Sequence, residues 1–442
     1  MSPEAQVLAT DDGYRGIWYF CNGVEEPYRY KYSGGLGTYC AKHLPLAHYA
    51  GEVNRTFFCY GGRPKDANRL LHMVACYDHD THRVCRPRIL LDKQTDDGHD
   101  NVTIMLDEQG YIYLFSSSHG VQRPAHISRS AEPYSIDAFE RIYSRNFSYP
   151  QAWWIPGRGC LWLHTLYVDG RRLLHWSTSP DGRTWDGPHQ LAAIVRGHYQ
   201  ISWCRDGKIA TVFNYHRQEQ GSDARTNLYY LQTTDLGESW QTITGVTVEG
   251  PLTEIDNPAL VHDFQAADRY VYLKDLNLDA EGNPVALVVT SSGHMPGPAS
   301  GPRIWQTLHW NGKTWEVLGQ IESDSNYDTG CLHVEADGCW RIIAPTGDGP
   351  QPFNPGGEMV MWTSGDRGRS WDRVRDVTSG SEFNHTYARR PVNAHPGFYA
   401  LWADGHGLDP SDSRLYFCNR DGQAFRLPTE MSEEWAEPEP IG

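Results

Sequence analysis

Ser179-Pro-Asp-Gly-Arg-Thr-Trp185 decides the fold, because the chain repeats its pattern. Variants stand at Thr233-Thr-Asp-Leu-Gly-Glu-Ser-Trp240, Trp310-Asn-Gly-Lys-Thr-Trp315 and Ser364-Gly-Asp-Arg-Gly-Arg-Ser-Trp371. In each, Asp or Asn accepts backbone N–H bonds inside a tight hairpin, Gly supplies a positive φ, and Trp pins the turn to the sheet beneath. This is the turn known as an Asp box. Its recurrence at intervals of some tens of residues predicts an array of small sheets, an all-β β-propeller.

Working outward, the rest of the chain fits that reading. Aromatics are 12% of the residues, and the 43 Gly and 27 Pro suit many short strands joined by tight turns. A formal charge of −16 argues against a nucleic-acid partner and leaves an anionic substrate open if Arg and His gather locally. No apolar run is long enough for a membrane span. The N-terminus lacks a signal-peptide pattern, so the expected location is cytoplasmic unless a signal was trimmed. The ten Cys residues form no CxxC and are expected to be reduced core residues.

Seven repeats can be placed, each opening on a strand with polar residues at its start. These starts are Tyr32–Tyr39, Gly98–Asn101, Ser148–Gln151, Gly197–Gln200, Asp256–Pro258, Tyr327–Gly330 and His385–Arg390. Second strands are expected at Thr56–Tyr60, Tyr111–Ser116, Leu161–Leu166, Ile209–Asn214, Tyr270–Lys274, Arg341–Ala344 and Phe398–Trp402. The expectation is a single seven-bladed propeller over 1–429, with four-stranded antiparallel blades around a central channel. Gly13 to Tyr30 would close the ring beside Leu415–Cys418, and 430–442 would be an acidic, Pro-containing tail.

In such a blade the start of the first strand and the end of the second lie at one mouth of the channel, because consecutive strands are antiparallel. That places His99, Asn101, His119, Tyr149, Tyr167, Tyr215, Arg217 and Arg225 around one mouth, with His385, Arg389 and Arg390 facing it. The set has no close carboxylate pair, which ordinary glycosidases require. A His/Tyr/Arg set suits uronate β-elimination. A cation neutralises the carboxylate, a His or Tyr removes the C5 proton, and a Tyr or His protonates O4. His99, Asp100, Asn101, Asp256, Asn257 and Asp328 could ring the channel and hold a metal, calcium if oxygen-rich and a transition metal if His-rich. His43 falls at the far end of a first strand.

The stretches Gly13-Tyr-Arg-Gly-Ile-Trp-Tyr19, Tyr30–His43, Gly98–Asn101, Ser117-Ser-His-Gly120, Tyr149-Pro-Gln151, Arg225–Tyr230 and His395–Asp404 resemble the BNR-repeat propeller group that contains polysaccharide lyases. Within it the chain is similar to lyases that cleave L-rhamnosyl-α-1,4-D-glucuronate, releasing rhamnose and an unsaturated uronate, and to propeller ulvan lyases. The resemblance implies a catalytic His pair at His99 and His119. It implies a Tyr and an Arg at Tyr215 and Arg225, with Tyr149 and Tyr167 as rivals, and Asn101, Arg217 and Arg390 as substrate contacts. It also implies a calcium or other divalent ion, no organic cofactor, and a uronate-containing glycan as partner. Two alternatives stay open: an α-L-rhamnosidase working through His43, and a non-catalytic glycan-binding propeller. Sialidases share the Asp boxes but need an arginine triad that this chain does not assemble.

Overall fold

The computed structural model describes residues 5–24, 27–39, 42–219 and 221–441. Cys40 and Ala41, within one stretch of the family resemblance, lie outside them. The chain is an all-β propeller. In chain order, sheet 1 begins with Ala47–Ala50, sheet 2 with Val102–Leu106 and sheet 3 with Ser148–Ile155. Sheet 4 begins with Gln200–Arg205, sheet 5 with Tyr270–Leu278, sheet 6 with Cys331–Val334 and sheet 7 with Asn384–Arg389. A separate two-stranded hairpin pairs Trp18–Gly23 with Tyr30–Gly35. No helix among the described residues is long and apolar enough to cross a membrane.

Burial on both faces of each sheet explains the apolar strand runs. In sheet 2, Ile112 and Leu114 pack toward sheet 1, while Tyr113 and Phe115 pack toward Cys160 and Trp162 of sheet 3. Leu161 and Leu163, alternating with that pair, face the next core instead. Side chains alternate along a strand, so one strand serves two cores. Each fully buried Leu or Phe contributes about 1.5–3 kcal/mol. Truncating Leu114 to Ala would cost about 2–5 kcal/mol.

The Asp boxes lie between the third and fourth strands of sheets 3 to 6 and tie neighbouring sheets together. The Asp181 carboxylate accepts from Arg183 N at 2.8 Å and Thr184 N at 2.6 Å. Trp185 then packs on Phe115 and Tyr143 of sheet 2, Trp240 on Trp176 of sheet 3, and Trp315 on Tyr230 of sheet 4.

Four expectations are corrected. Only three sheets have four strands; the others recruit extra ones. Tyr32–Tyr39 does not open sheet 1. Its first half pairs with Trp18–Gly23, and Ala47–Ala50 takes the channel position. Asp256–Pro258 does not open sheet 5, because that turn-rich stretch leads only to Leu260–His262 against sheet 4. Tyr270–Lys274, expected as a second strand, lies in the first strand, Tyr270–Leu278, whose partner is Pro284–Ser291. Finally, 430–441, expected as part of a tail, is woven into the fold. Trp435–Ala436 pairs with Val84–Cys85 of sheet 1, and Glu439–Ile441 with Ala424–Arg426 of sheet 7. The segment around Gly13 to Ile17 bridges the same seam. Gly16 N donates to Ser413 O at 2.8 Å and Ile17 N to Gly61 O at 2.9 Å.

Candidate active site

The site starts from one turn. Gly98–Asp100 forms a single 3-10 turn whose N-cap is Asp97, with the Asp97 side chain accepting from His99 N at 3.0 Å. The same carboxylate accepts from His99 Nδ1 at 2.6 Å and from His119 Nδ1 at 2.9 Å. His119 lies just past the second strand of sheet 2, its N–H anchored on Asp100 Oδ1 at 2.5 Å. The two imidazoles therefore stack with centroids 4.3 Å apart. Arg123 braces the turn, its Nε 2.7 Å from Asp100 Oδ2 and its Nη2 3.4 Å from Asp97 Oδ2.

The two histidines differ in access. His99 Nε2 meets the Tyr32 hydroxyl at 2.5 Å and the Tyr39 hydroxyl at 3.1 Å, so both its nitrogens are engaged. Burial pushes its pKa down to about 4 against the pull of Asp97, which keeps it neutral. The Asp97 carboxyl is held well below the usual range: burial opposes this, and the two imidazoles overcome it. The His119 side chain is 32% exposed. With Nδ1–H given to Asp97, its Nε2 carries a lone pair at the mouth.

A circuit of side chains runs from there. The His119 ring lies 5.9 Å from Tyr167, whose hydroxyl accepts from Arg172 Nε at 3.0 Å and Nη2 at 2.6 Å. Arg172 packs over Tyr199 at 4.5 Å and Tyr149 at 5.2 Å, and Arg225 lies over Tyr199 at 4.2 Å. Arg225 also covers Tyr327 at 5.4 Å, Tyr327 meets Tyr32 at 4.5 Å, and Tyr32 returns to His99. Two buried polar atoms inside this circuit have no partner among the described residues: Arg172 Nη1 and His216 Nε2. The His216 ring is 4.9 Å from Tyr199. Burial, then Arg172 and Arg225, push its pKa well below the usual value, so it is neutral. The neighbouring phenols hold Arg172 charged although burial opposes this. A buried guanidinium with an unpaired nitrogen is a seat for an anion such as a carboxylate.

Of the residues expected from sequence, His99, His119, Tyr149, Tyr167 and Arg225 come together here. Asn101 supports them from beneath, its amide donating to Gly37 O at 3.1 Å and to Tyr39 O. Tyr215 does not join: its hydroxyl bonds Gln265 Oε1, while the next residue, His216, faces the circuit. Adjacent strand residues point to opposite faces, and sequence alone chose the wrong one. Arg217 stacks on Tyr270 at 4.9 Å, outside the circuit. Arg390 follows the end, not the start, of its strand. It pairs with Asp275 at 2.8 Å, lies 3.2 Å over Trp203, and lines a cavity of about 990 Å³ at the opposite mouth. Neither Arg172 nor His216 lines that cavity, so the chemistry stays with the His pair. Arg389 donates to Lys274 O at 2.9 Å, and His385 bonds Trp402 and Ser381 within its own sheet region. His43 is fully buried, with Nε2 2.7 Å from Ser117 Oγ and its ring 5.3 Å from that of Tyr149.

The expected metal ring is not assembled. Asn257 caps the exposed turn at Ala259, Asp100 is taken by Arg123, and Asp328 bonds Gly356 N at 2.7 Å. Asp97, His99 and His119 bring three ligand atoms within 4.8 Å of one another. One carboxylate and two imidazoles do not fit calcium, which takes six to eight oxygens. An ion held by Asp97 together with the two Nδ1 atoms would displace both Asp97–imidazole hydrogen bonds.

Sequence reasoning missed Asp97, Arg172, Tyr199, His216, Tyr327 and the site role of Tyr32. A signal was present for two: Tyr199 and Tyr327, like the predicted Tyr149 and like Tyr387, stand at or just before the opening of a first strand, and all four belong to one buried tyrosine cluster that also holds Tyr32.

Against known proteins, the chain is 19% identical over 373 residues to the ulvan lyase of Alteromonas sp. (strain LOR), covering 75% of this chain and 73% of that one. It is 20% identical over 272 residues to the ulvan lyase PL25 of Pseudoalteromonas sp. (strain PLSV), covering 52% and 55%. A solved PL25 ulvan lyase superposes with a TM-score of 0.68 at 17% identity over 92% of this chain and 96% of that one. The same kind of lyase bound to -[GlcA(1-4)Rha3S]- gives 0.68 at 16% identity over 94% and 96%. Likeness at that identity speaks to the fold. Residues 60–320, more than half of the chain, match the family described as BNR repeat-containing, and the chain belongs to that family.

Proposed function

We propose that the chain is a polysaccharide lyase that cleaves an L-rhamnosyl-α-1,4-D-glucuronate linkage by β-elimination. The observation that carries this is the convergence of His119, Tyr167 and Arg172, with Arg172 Nη1 buried and unpaired beside the neutral His216. Arg172 seats the uronate carboxylate, which acidifies the C5–H. His119 Nε2 takes that proton, held in the accepting tautomer by Asp97. The electron pair becomes the C4–C5 double bond and the C4–O4 bond breaks. The glycosidic oxygen leaves on C1 of rhamnose and takes the proton of the Tyr167 hydroxyl to become the anomeric hydroxyl, and the resulting phenolate is stabilised by the two Arg172 N–H bonds. Burial raises the Tyr167 pKa although Arg172 opposes it, so the group holds its proton until the leaving oxygen needs it. No step requires a metal.

Three further points support the reading. We take the seven sheets of four or more strands as seven blades around the channel. The glucuronate–rhamnose ligand of the solved ulvan lyase fits the chemical class of substrate. The hairpin Trp18–Gly23/Tyr30–Gly35 reaches across the mouth and favours a chain-terminal rhamnose. Its Arg29 meets Asp409 at 2.6 Å, Lys31 pairs with Asp223, and Tyr28 packs 5.7 Å from Phe353. The sector over sheets 2 and 3 has open space at Gly120 and Gly170.

The test is incubation with pure rhamnosyl-glucuronate. New near-UV absorbance of the unsaturated uronate, rising in step with free rhamnose, is the expected result. Rhamnose without absorbance means hydrolysis, and no turnover on any uronate glycan means a binding protein; either outcome sinks the proposal.

A further inference from the structure

The seam where the ring closes contains two cysteines in sulfur contact. Cys76 lies two residues before the end of the strand Leu71–Asp78 and Cys85 ends Arg83–Cys85, and the register Tyr77↔Val84, Asp78↔Arg83 sets Cys76 opposite Cys85. Their Sγ atoms lie 3.4 Å apart, and Cys76 N donates to Cys85 Sγ at 3.1 Å. No other cysteine pair among the described residues is in such contact. Opposed residues on antiparallel strands bring their Cβ atoms close to the range a disulfide needs. Cys85 is also where the seam converges: its carbonyl accepts from the Tyr14 hydroxyl at 2.5 Å, and its partner across the last strand is Trp435.

We propose that Cys76 and Cys85 form an intrachain disulfide when the chain folds in a thiol–disulfide exchange medium, and that this bond locks the closure seam. The oxidant is a small-molecule disulfide such as glutathione disulfide. One cysteine thiolate attacks it, forming a mixed disulfide and releasing one glutathione thiol. The second cysteine thiolate then displaces the other glutathione, so two protons and two electrons leave the pair. Both thiols are 3% exposed in the closed fold. Exchange therefore occurs during folding, or when the Arg83–Cys85 strand and the C-terminal strand on it part together. The expected reduced cysteines of the core are thus two populations, one poised pair and isolated thiols.

The test uses the full chain, refolded from denaturant in a glutathione redox buffer or in dithiothreitol, then alkylated and digested without reduction. The expected result is a cross-linked peptide joining Cys76 to Cys85, the other cysteines alkylated, and a Tm a few degrees above the reduced sample. Alkylation of both Cys76 and Cys85 in the oxidised sample, or a cross-link to different partners, overturns the proposal. Cys76→Ser should abolish the Tm difference between the two buffers. The alkylation pattern of the unmutated chain decides the matter even if that variant folds poorly.

Discussion

Replacing Asp97 by Asn changes one oxygen to an amide and leaves the turn's size unaltered. The Asp97 carboxylate accepts four hydrogen bonds: from His99 N at 3.0 Å, His99 Nδ1 at 2.6 Å, His119 Nδ1 at 2.9 Å and Arg123 Nη2 at 3.4 Å. Asparagine keeps one acceptor oxygen and gains two N–H donors, so at least one imidazole must turn its lone pair toward the amide. If that imidazole is His119, the proton moves to Nε2, and Nε2 can no longer take the C5 proton. Restoring the productive tautomer breaks a bond and faces a donor with a donor. The loss of a charge-assisted bond and the wrong tautomer together raise the barrier by about 4–5 kcal/mol, or roughly 10³–10⁴-fold in kcat. KM should change little, because the carboxylate seat lies across the circuit at Arg172. The assay is initial near-UV rate on rhamnosyl-glucuronate, with circular dichroism and Tm as the folding control. A folded Asp97→Asn variant within tenfold of the parent kcat would refute the assignment of His119 as a base held by Asp97.

Tyr167→Phe should lower kcat by about 10²–10⁴-fold, while Tyr215→Phe should stay within about twofold, since the Tyr215 hydroxyl bonds Gln265 outside the circuit. Equal losses in the two would remove Tyr167 from the mechanism. Arg172→Lys keeps the charge but loses the fork onto Tyr167, so both a higher KM and a kcat down by about 10²-fold are expected in steady-state kinetics. Unchanged KM would mean that the carboxylate sits elsewhere. Burial holds His99 and His198 at a pKa of about 4 in the fold, below the ordinary value near 6.5. The unfolded chain then takes up protons first. Stability should be complete above about pH 6.5 and fall toward pH 4, by up to about 3 kcal/mol for each histidine. A Tm that stays flat between those pH values would contradict the buried neutral histidines.

The Asp boxes made the propeller readable because each is a local device: Asp, Gly and Trp within eight residues specify one turn whatever surrounds them. Alternation did the same for most strands. The His pair was also legible, since Gly98–Asn101 and Ser117–His119 flank a single hairpin. Reading failed where local pattern and tertiary use diverge. Tyr270–Leu278 opens on the apolar run Tyr270–Leu273 that suits a second strand, and only its place beside the channel makes it a first one. The tail 430–442 is acidic and Pro-containing, yet it pairs with strands more than 300 residues earlier as well as with its own sheet.

What the amino-acid sequence determined by itself is the repeat, the all-β class and the mouth at which His99 and His119 meet. Those follow from periodicity and from hairpins short enough to be fixed by their own turns. Only the tertiary structure decided which tyrosine and which arginine complete the site. Tyr215 and His216 are neighbours on one strand, and the side that faces Tyr199 depends on packing between sheets. Arg172 reaches Tyr167, Tyr149 and Tyr199 across two sheets that are separate in sequence. A local pattern carries no record of contacts made between sheets, and such contacts close the site: His119 with Tyr167, Arg172 with Tyr199, and Tyr327 with Tyr32.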